Sequence, residues 1–307
     1  MTAALRSAML VLVLLGGCTG KESAPATAAA LPSAAPVLTR DLVLDAQVTG
    51  VLEGPVTLQA GRYTGPPAVA GGASRPSVEL WEPTVLLGEL DGVPGNEAAA
   101  LLSSSSGGTG DFVYLAVFAL QEGIVRSLAV APVGDRVRLF RTWLERERIH
   151  MDVIEPAPGE PACCPTQLTR KAFALQAGAL QQVENTAVGS LSINLLAATD
   201  WMLIELDGQP LPQGVLPPTA LIQYGKIAGF AGCNRYSVPV TEPEPGAIRV
   251  GEVVPSGDKA CGGAAASLEA QFVEHLSQVQ SYGFVAGRLV LYGPMQGAAP
   301  RKLTFTR

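Results

Sequence analysis

Short alternating segments, broken repeatedly by glycine and proline, leave this chain few folds other than antiparallel β-structure. Of its 307 residues 34 are glycine and 24 proline, and only 16% are charged. Residues of these two types interrupt helices and supply turns. Between them, apolar and polar side chains alternate with a period of two at residues 77–82, 111–118, 136–140 and 148–154. That is the pattern of strands buried on one face. Turn formers such as Pro94-Gly95, Gly107-Gly108 and Gly134-Asp135 separate the segments. The mixed-charge run at residues 141–148 reads as solvated strand or loop rather than helix. The serines at 103–106, with the glycines after them, read as a flexible hairpin loop. Residues 41–183 are therefore expected to form a β-rich domain.

The pattern lapses at residues 184–195, which reads as a linker, and restarts at residue 196. Residues 201–206 run as a strand into Asp207-Gly208, a hairpin turn signal. Residues 219–224 and 247–250 read as further strands. The period then changes: Leu268, Phe272, Leu276 and Val279 share one helical face. Ser267 is the expected N-cap of that helix. Strands return at residues 288–292 and 302–306. The expected class is α+β, a β-rich N-terminal domain followed by a small domain of antiparallel strands with one helix.

The N-terminus carries a different kind of information. Arg6 is followed by an apolar run and then by Leu15-Gly16-Gly17-Cys18. A short basic segment, a short apolar segment and small residues before a cysteine form a bacterial lipoprotein signal. Residues 1–17 are read as that signal and Cys18 as the lipidated first residue of the mature protein. The apolar run is too short to span a bilayer, which takes about 20 residues. Residues 18–40, rich in Ala, Pro and Ser, read as a tether. Thr19 rather than aspartate after Cys18 points to the outer membrane, by analogy with Gram-negative sorting. The expected location is its periplasmic face. The net charge of −6 excludes nucleic acid as a partner held by charge.

One stretch of the second half resembles a known family. Gly229-Phe230-Ala231-Gly232-Cys233-Asn234-Arg235-Tyr236-Ser237 is similar to the signature of the META domain, the HslJ-like family. Trp201 and the Asp207-Gly208 turn fall where that family begins, and Lys259-Ala260-Cys261 falls at its second cysteine. Glu269, Phe272, Leu276 and Tyr282 track its helix, and Leu289 and Leu291 a late strand. The resemblance covers the last third of the chain, residues 196–307. Val238 departs from the usual glycine and Gly257 from the expected threonine. The resemblance implies a small secreted or lipid-anchored α+β domain with no established catalysis. It pairs Cys233 with Cys261 in a disulfide, with two buried thiols as the alternative. Asn234, Arg235 and Tyr236, beside a turn, are the candidate binding residues; structural roles for Asn234 and Arg235 compete with that reading.

Catalytic machinery is sparse in the sequence. The chain has two histidines, His150 and His275, in different halves and without a nucleophile elbow. Cys163-Cys164 lacks the nearby partners of a zinc site, and its pairing is left open. No phosphate-binding loop or dinucleotide fingerprint is present. Gly88-Glu89-Leu90-Asp91-Gly92 with Asn96-Glu97, then Ser106-Gly107-Gly108-Thr109-Gly110, resembles the acidic, glycine-rich loops of uncharacterised bacterial envelope proteins, which in intact form are similar to a calcium-binding repeat. Calcium wants about six to eight oxygen ligands, however, and Val93 and Pro94 stand where ligands are needed. An acidic turn without metal is expected, and no cofactor. The chain is thus expected to be a non-catalytic envelope lipoprotein held to the membrane by its anchor, a binding or protective envelope-stress module. Its partner would be an envelope protein or polymer. The alternatives are a carboxylate-dependent hydrolase of such a polymer, or a hydrolase inhibitor.

Overall fold

Three sheets, almost wholly antiparallel, account for the chain in a computed structural model that describes residues 37–307 except 68–70, 93–96, 108–109, 198 and 258–259. The expected signal, Cys18 and most of the tether lie outside the described residues. After a one-turn helix α1 (Arg40–Val43), the first sheet is built from β1 (Gln47–Leu52), β2 (Gly54–Thr57), β3 (Arg62–Thr64), β4 (Ser77–Leu80), β5 (Leu86–Gly88), β6 (Glu97–Ser105), β7 (Phe112–Gln121) and β8 (Ile124–Asp135). Its order is β2-β1-β8-β7-β6-β4-β3, with β5 also paired to β6 and one parallel bridge between β1 and β8. The second sheet is a meander of β9 (Arg138–Glu145), β10 (Arg148–Glu155), β11 (Gln167–Gln176) and β12 (Ala179–Ser190).

The period-two pattern explains why these strands pack as layers. In β6, Ala98, Ala100 and Leu102 face one core while Ala99 and Leu101 face another. The first core gathers Val43, Val48, Leu58, Leu80 and Phe118 on one side of the first sheet. The second lies between the first two sheets, where Leu115 and Val117 meet Ile149, Met151, Val153 and Phe173. A strand buried on both faces is apolar at nearly every position, so β6 shows no alternation. Its last three residues are the serines expected in a loop. Ser103 and Ser104 pair with Val113 and Phe112, and Ser104 is buried.

The run at residues 141–148 is strand and turn, as read. Arg146 and Glu147 both have positive φ, 50° and 59°, as the tight β9–β10 hairpin requires. Residues 184–190, expected as linker, form the second half of β12, with Glu184 opposite Ala172 and Ala187 opposite Thr169. β12 is an edge strand, exposed over most of its length, so it carries no apolar alternation to read.

The third sheet contains β13 (Asp200–Leu206), β14 (Gln209–Pro210), β15 (Thr219–Gln223), β16 (Lys226–Phe230), β17 (Arg235–Thr241), β18 (Arg249–Val250), β19 (Pro255–Ser256), β20 (Ser281–Val285), β21 (Arg288–Gln296) and β22 (Ala299–Thr306). The path runs β18-β17-β16-β15-β13-β22-β21-β20. Helix α2 (Gly263–Ser277) buries Leu268, Phe272, His275 and Leu276. The helix begins a turn earlier than expected: Gly262 is the N-cap, and the Ser267 hydroxyl accepts from the Gln271 amide inside the helix. The added turn, Gly263 to Ala266, is too small to carry an amphipathic signal.

The core of this sheet does not stop at the sheet. Phe140, Ile154 and Leu168 of the second sheet join Trp201, Leu203, Phe284, Leu289 and Phe305 in one cluster. The Phe140 and Phe284 rings meet edge to face with centroids 4.9 Å apart, a favoured aromatic geometry. The second sheet thus has one core on the first sheet's side and another shared with the third sheet.

Candidate functional site

The signature loop is built as a staple. Cys233 and Cys261 are joined in a disulfide, which ties the start of β17 to the segment before α2. Glu269, on α2, reinforces it by accepting from the Asn234 backbone N–H and, at 3.1 Å, from the Asn234 side-chain amide. Gly229 stands where a Cβ would lie 2.1 Å from the Thr219 carbonyl oxygen, so β15 and β16 approach through it. Gly257, in place of the expected threonine, has φ +150° and lies against the Asn234 side chain. A Cβ there would reach within 2.5 Å of the Asn234 oxygen.

The three candidate binding residues separate. Asn234 belongs to the staple. Tyr236 is 2% exposed, packs edge to face on Phe272 and donates to the Thr219 carbonyl at 2.9 Å. It is a core residue, because β17 alternates and turns Tyr236, Val238 and Val240 inward together. Burial pushes its phenol far above the ordinary range. Arg235 alone is exposed. It borders a shallow groove of about 410 Å³ with Leu216, Phe230 and Asp200, and Leu216 is 70% exposed.

His275 and Asp152 are held by partners of the chain itself, whereas the buried His150 Nδ1 has no hydrogen-bond partner among the described residues. The His275 ring lies between the Gln271 carbonyl, 2.7 Å from Nδ1, and the Asp207 carboxylate, 2.8 Å from Nε2. Burial alone would raise the Asp207 carboxyl. Hydrogen bonds from His275 and the Lys302 amide, with the charges of His275 and Arg301, instead hold it below the usual range. His150 stacks on Trp143 with ring centroids 5.1 Å apart and lies 3.9 Å from Glu184. Beside them Asp152, fully buried, is gripped by Arg141 at 2.7 Å and by Arg170 at 2.8 Å. Both guanidinium groups also lie against the Trp143 ring, 5.0 and 5.2 Å from its centre. Sequence patterning missed this cluster because its members are spread over three strands. The signal was there in the strand register, which sets Arg141 and Arg170 on either side of Asp152.

The acidic turn does converge. Carboxylate oxygens of Glu89, Asp91 and Glu97 lie within 4.8 Å of one another. Three such oxygens are about half of what calcium takes, and Asn96, Val93 and Pro94 lie outside the described residues. Glu97 is 5% exposed and accepts from the Leu90 N–H at 2.9 Å. Burial raises its carboxyl; the Leu90 bond opposes that, and the Asp91 and Glu89 charges add to it. A carboxyl raised on folding favours the folded state at low pH and loses that contribution as pH rises through its folded value. Glu97→Gln is therefore expected to raise the melting temperature at pH 7 by a few degrees and to leave it unchanged near pH 4. Equal gains at both pH values in a thermal melt would remove ionisation as the cause.

A cleft of about 800 Å³ opens where the sheets meet, lined among others by Trp81, Arg138, Cys163, Cys164, Glu244 and Tyr292. Both cysteines are exposed.

These features define the C-terminal part as a small α+β domain whose helix α2 is stapled to the turn before β17 by a disulfide and an acid–amide pair. The family model of the META domain matches residues 194–307, and the last third of this chain is a META domain. The match begins at the 3-10 turn Ile193–Leu196, whose Leu196 carbonyl accepts from the Trp201 indole at 3.1 Å. No curated protein matches the chain.

Proposed function

We propose that this protein is a lipid-anchored envelope protein that works by surface contact rather than by catalysis. The observation that carries the reading is the commitment of two acid–base groups: His275 is held between the Gln271 carbonyl and Asp207, and the buried Asp152 between Arg141 and Arg170. General acid–base work needs such a group free to meet a substrate. The anchor rests on the residues around Cys18. The contact face that best fits a partner is the groove at Arg235, where a cation sits beside exposed Leu216 and the partly buried Phe230. Arginine beside apolar surface is a frequent centre of binding energy.

Two measurements test this. Cys18→Ala is expected to move the protein from the membrane to the soluble envelope fraction, since the acyl chains supply the membrane affinity. Retention of the variant at wild-type levels in fractionated cells would overturn the anchor. In a pull-down from solubilised envelope, Arg235→Ala with Leu216→Ser is expected to lose partners that the wild type keeps, with unchanged melting behaviour. Equal recovery by both forms would remove that face from the reading.

One observation favours a second reading, a carboxylate-dependent hydrolase of an envelope polymer. A carboxyl whose hold on its proton is raised beside other carboxyls is one element of a general acid, and Glu97, raised by burial, lies beside Glu89 and Asp91. Turnover of peptidoglycan or an ester by the purified protein, abolished in Glu97→Gln without unfolding, would replace the first reading with this one.

A further inference from the structure

We propose that Cys163 and Cys164 are a redox-active pair that closes to a vicinal disulfide by exchange with small-molecule disulfides. This is independent of where the protein resides and of what it binds.

The loop is built to present the pair. Glu160 closes its base, accepting from the Ala157 N–H at 2.8 Å and the Thr166 N–H at 3.1 Å, and bonding the Thr166 hydroxyl. The Cys164 N–H turns back to the Pro161 carbonyl at 3.2 Å. Prolines 161 and 165 bracket the two cysteines and fix φ on either side. Arg138 holds the tip from below, donating to the Cys163 carbonyl at 3.1 Å. Within this frame both side chains reach solvent, and their sulfur atoms lie 2.8 Å apart, inside van der Waals contact. The Cys164 thiol is pushed up by its hydrogen bond with Cys163 and by burial, while Arg138 opposes the shift.

Exchange needs an exposed thiolate and a second thiol in line to resolve the intermediate. Here one thiolate, that of Cys163, attacks a sulfur of a disulfide R–S–S–R. The R–S–S–R bond breaks, a Cys163–S–S–R bond forms, and one R–S⁻ leaves and takes a proton from water. The Cys164 thiolate then attacks the Cys163 sulfur and expels the second R–S⁻. The two cysteines together give up two electrons and two protons, and the small disulfide becomes two molecules of R–SH. The product joins residues whose Cα atoms are about 3.8 Å apart, below the usual disulfide range. Strained and exposed disulfides are the labile ones, so the closed form should reopen under mild reduction while Cys233–Cys261, with Cys233 buried, persists.

The test uses the full mature chain and oxidised glutathione. After reduction by a limited amount of dithiol and then treatment with glutathione disulfide, intact mass is expected to fall by two hydrogens. The peptide carrying Cys163 and Cys164 should then resist alkylation. Cys164→Ser should retain one glutathione on Cys163, because the resolving thiol is gone, and Cys163→Ser one on the exposed Cys164, because no second thiol remains beside it; folding is checked by melting temperature. A wild-type chain that carries glutathione on both cysteines, forms disulfide-linked dimers, or stays fully alkylatable would overturn the proposal.

Discussion

Replacing Arg141 and Arg170 together by methionine is expected to cost about 3 kcal/mol of stability at neutral pH, the low end for stranding a buried charge. Asp152 is fully buried and its carboxylate oxygens accept from both guanidinium groups at 2.7 to 3.1 Å. The cost stays at the low end because the arginine side chains are 45% and 32% exposed, so water can reach part of the site. The identity of the lost interaction is checked by rescue. Adding Asp152→Asn to the double variant removes the charge that needs a counter-ion, and part of the loss should return. Urea midpoints for the wild type, the arginine variant, Asp152→Asn alone and the combination complete the cycle. A double variant as stable as the wild type would show that the cluster only decorates the sheet. Trp143 is the second reason to expect an effect, since cation–π contacts from both arginines add to the pairing.

Cys261→Ser is expected to lower stability by a similar amount, about 3 to 4 kcal/mol, from the entropy of the opened loop. The bridge closes 28 residues of sequence separation. Those residues include β17 to β19 and their turns, most of which have no helix to hold them. What remains after the substitution is the Glu269–Asn234 pair, which keeps the turn near α2. The loss should therefore appear in thermal melts of the variant, and in the wild type under strong reductant to the same extent. A reduced wild type that melts where the oxidised one does would show that the Glu269 staple suffices alone.

How much of this was legible in the sequence follows from which faces are buried. β10 was readable because its polar and apolar residues alternate; β7, expected on the same ground, is instead apolar almost throughout, with Ala116 and Phe118 in one core and Leu115 and Val117 in the other. β6 was not readable, since both of its faces are covered, and β12 was not, since most of it is bare. The Asp207-Gly208 turn was readable from residue type alone, and both residues have positive φ, 53° and 76°. The start of α2 was misplaced because Gly262 and a run of small residues replace the polar cap that Ser267 seemed to supply. Tyr236 was taken for a surface residue on its amino-acid type. Counting along β17 from Val238 and Val240 would have turned it inward. The Cys233–Cys261 bridge was legible only through the resemblance to the META domain. The Asp152 cluster was legible to nothing short of the strand register.

The second sheet, with one core against each neighbour, gives the protein a single hinge of cooperativity. Loss of β9 or β10 removes Phe140 and Ile154 from one core and Leu139, Ile149 and Val153 from the other. Each flanking sheet then exposes the face it had turned to the second sheet, so damage there is felt on both sides as a loss of population rather than as a movement.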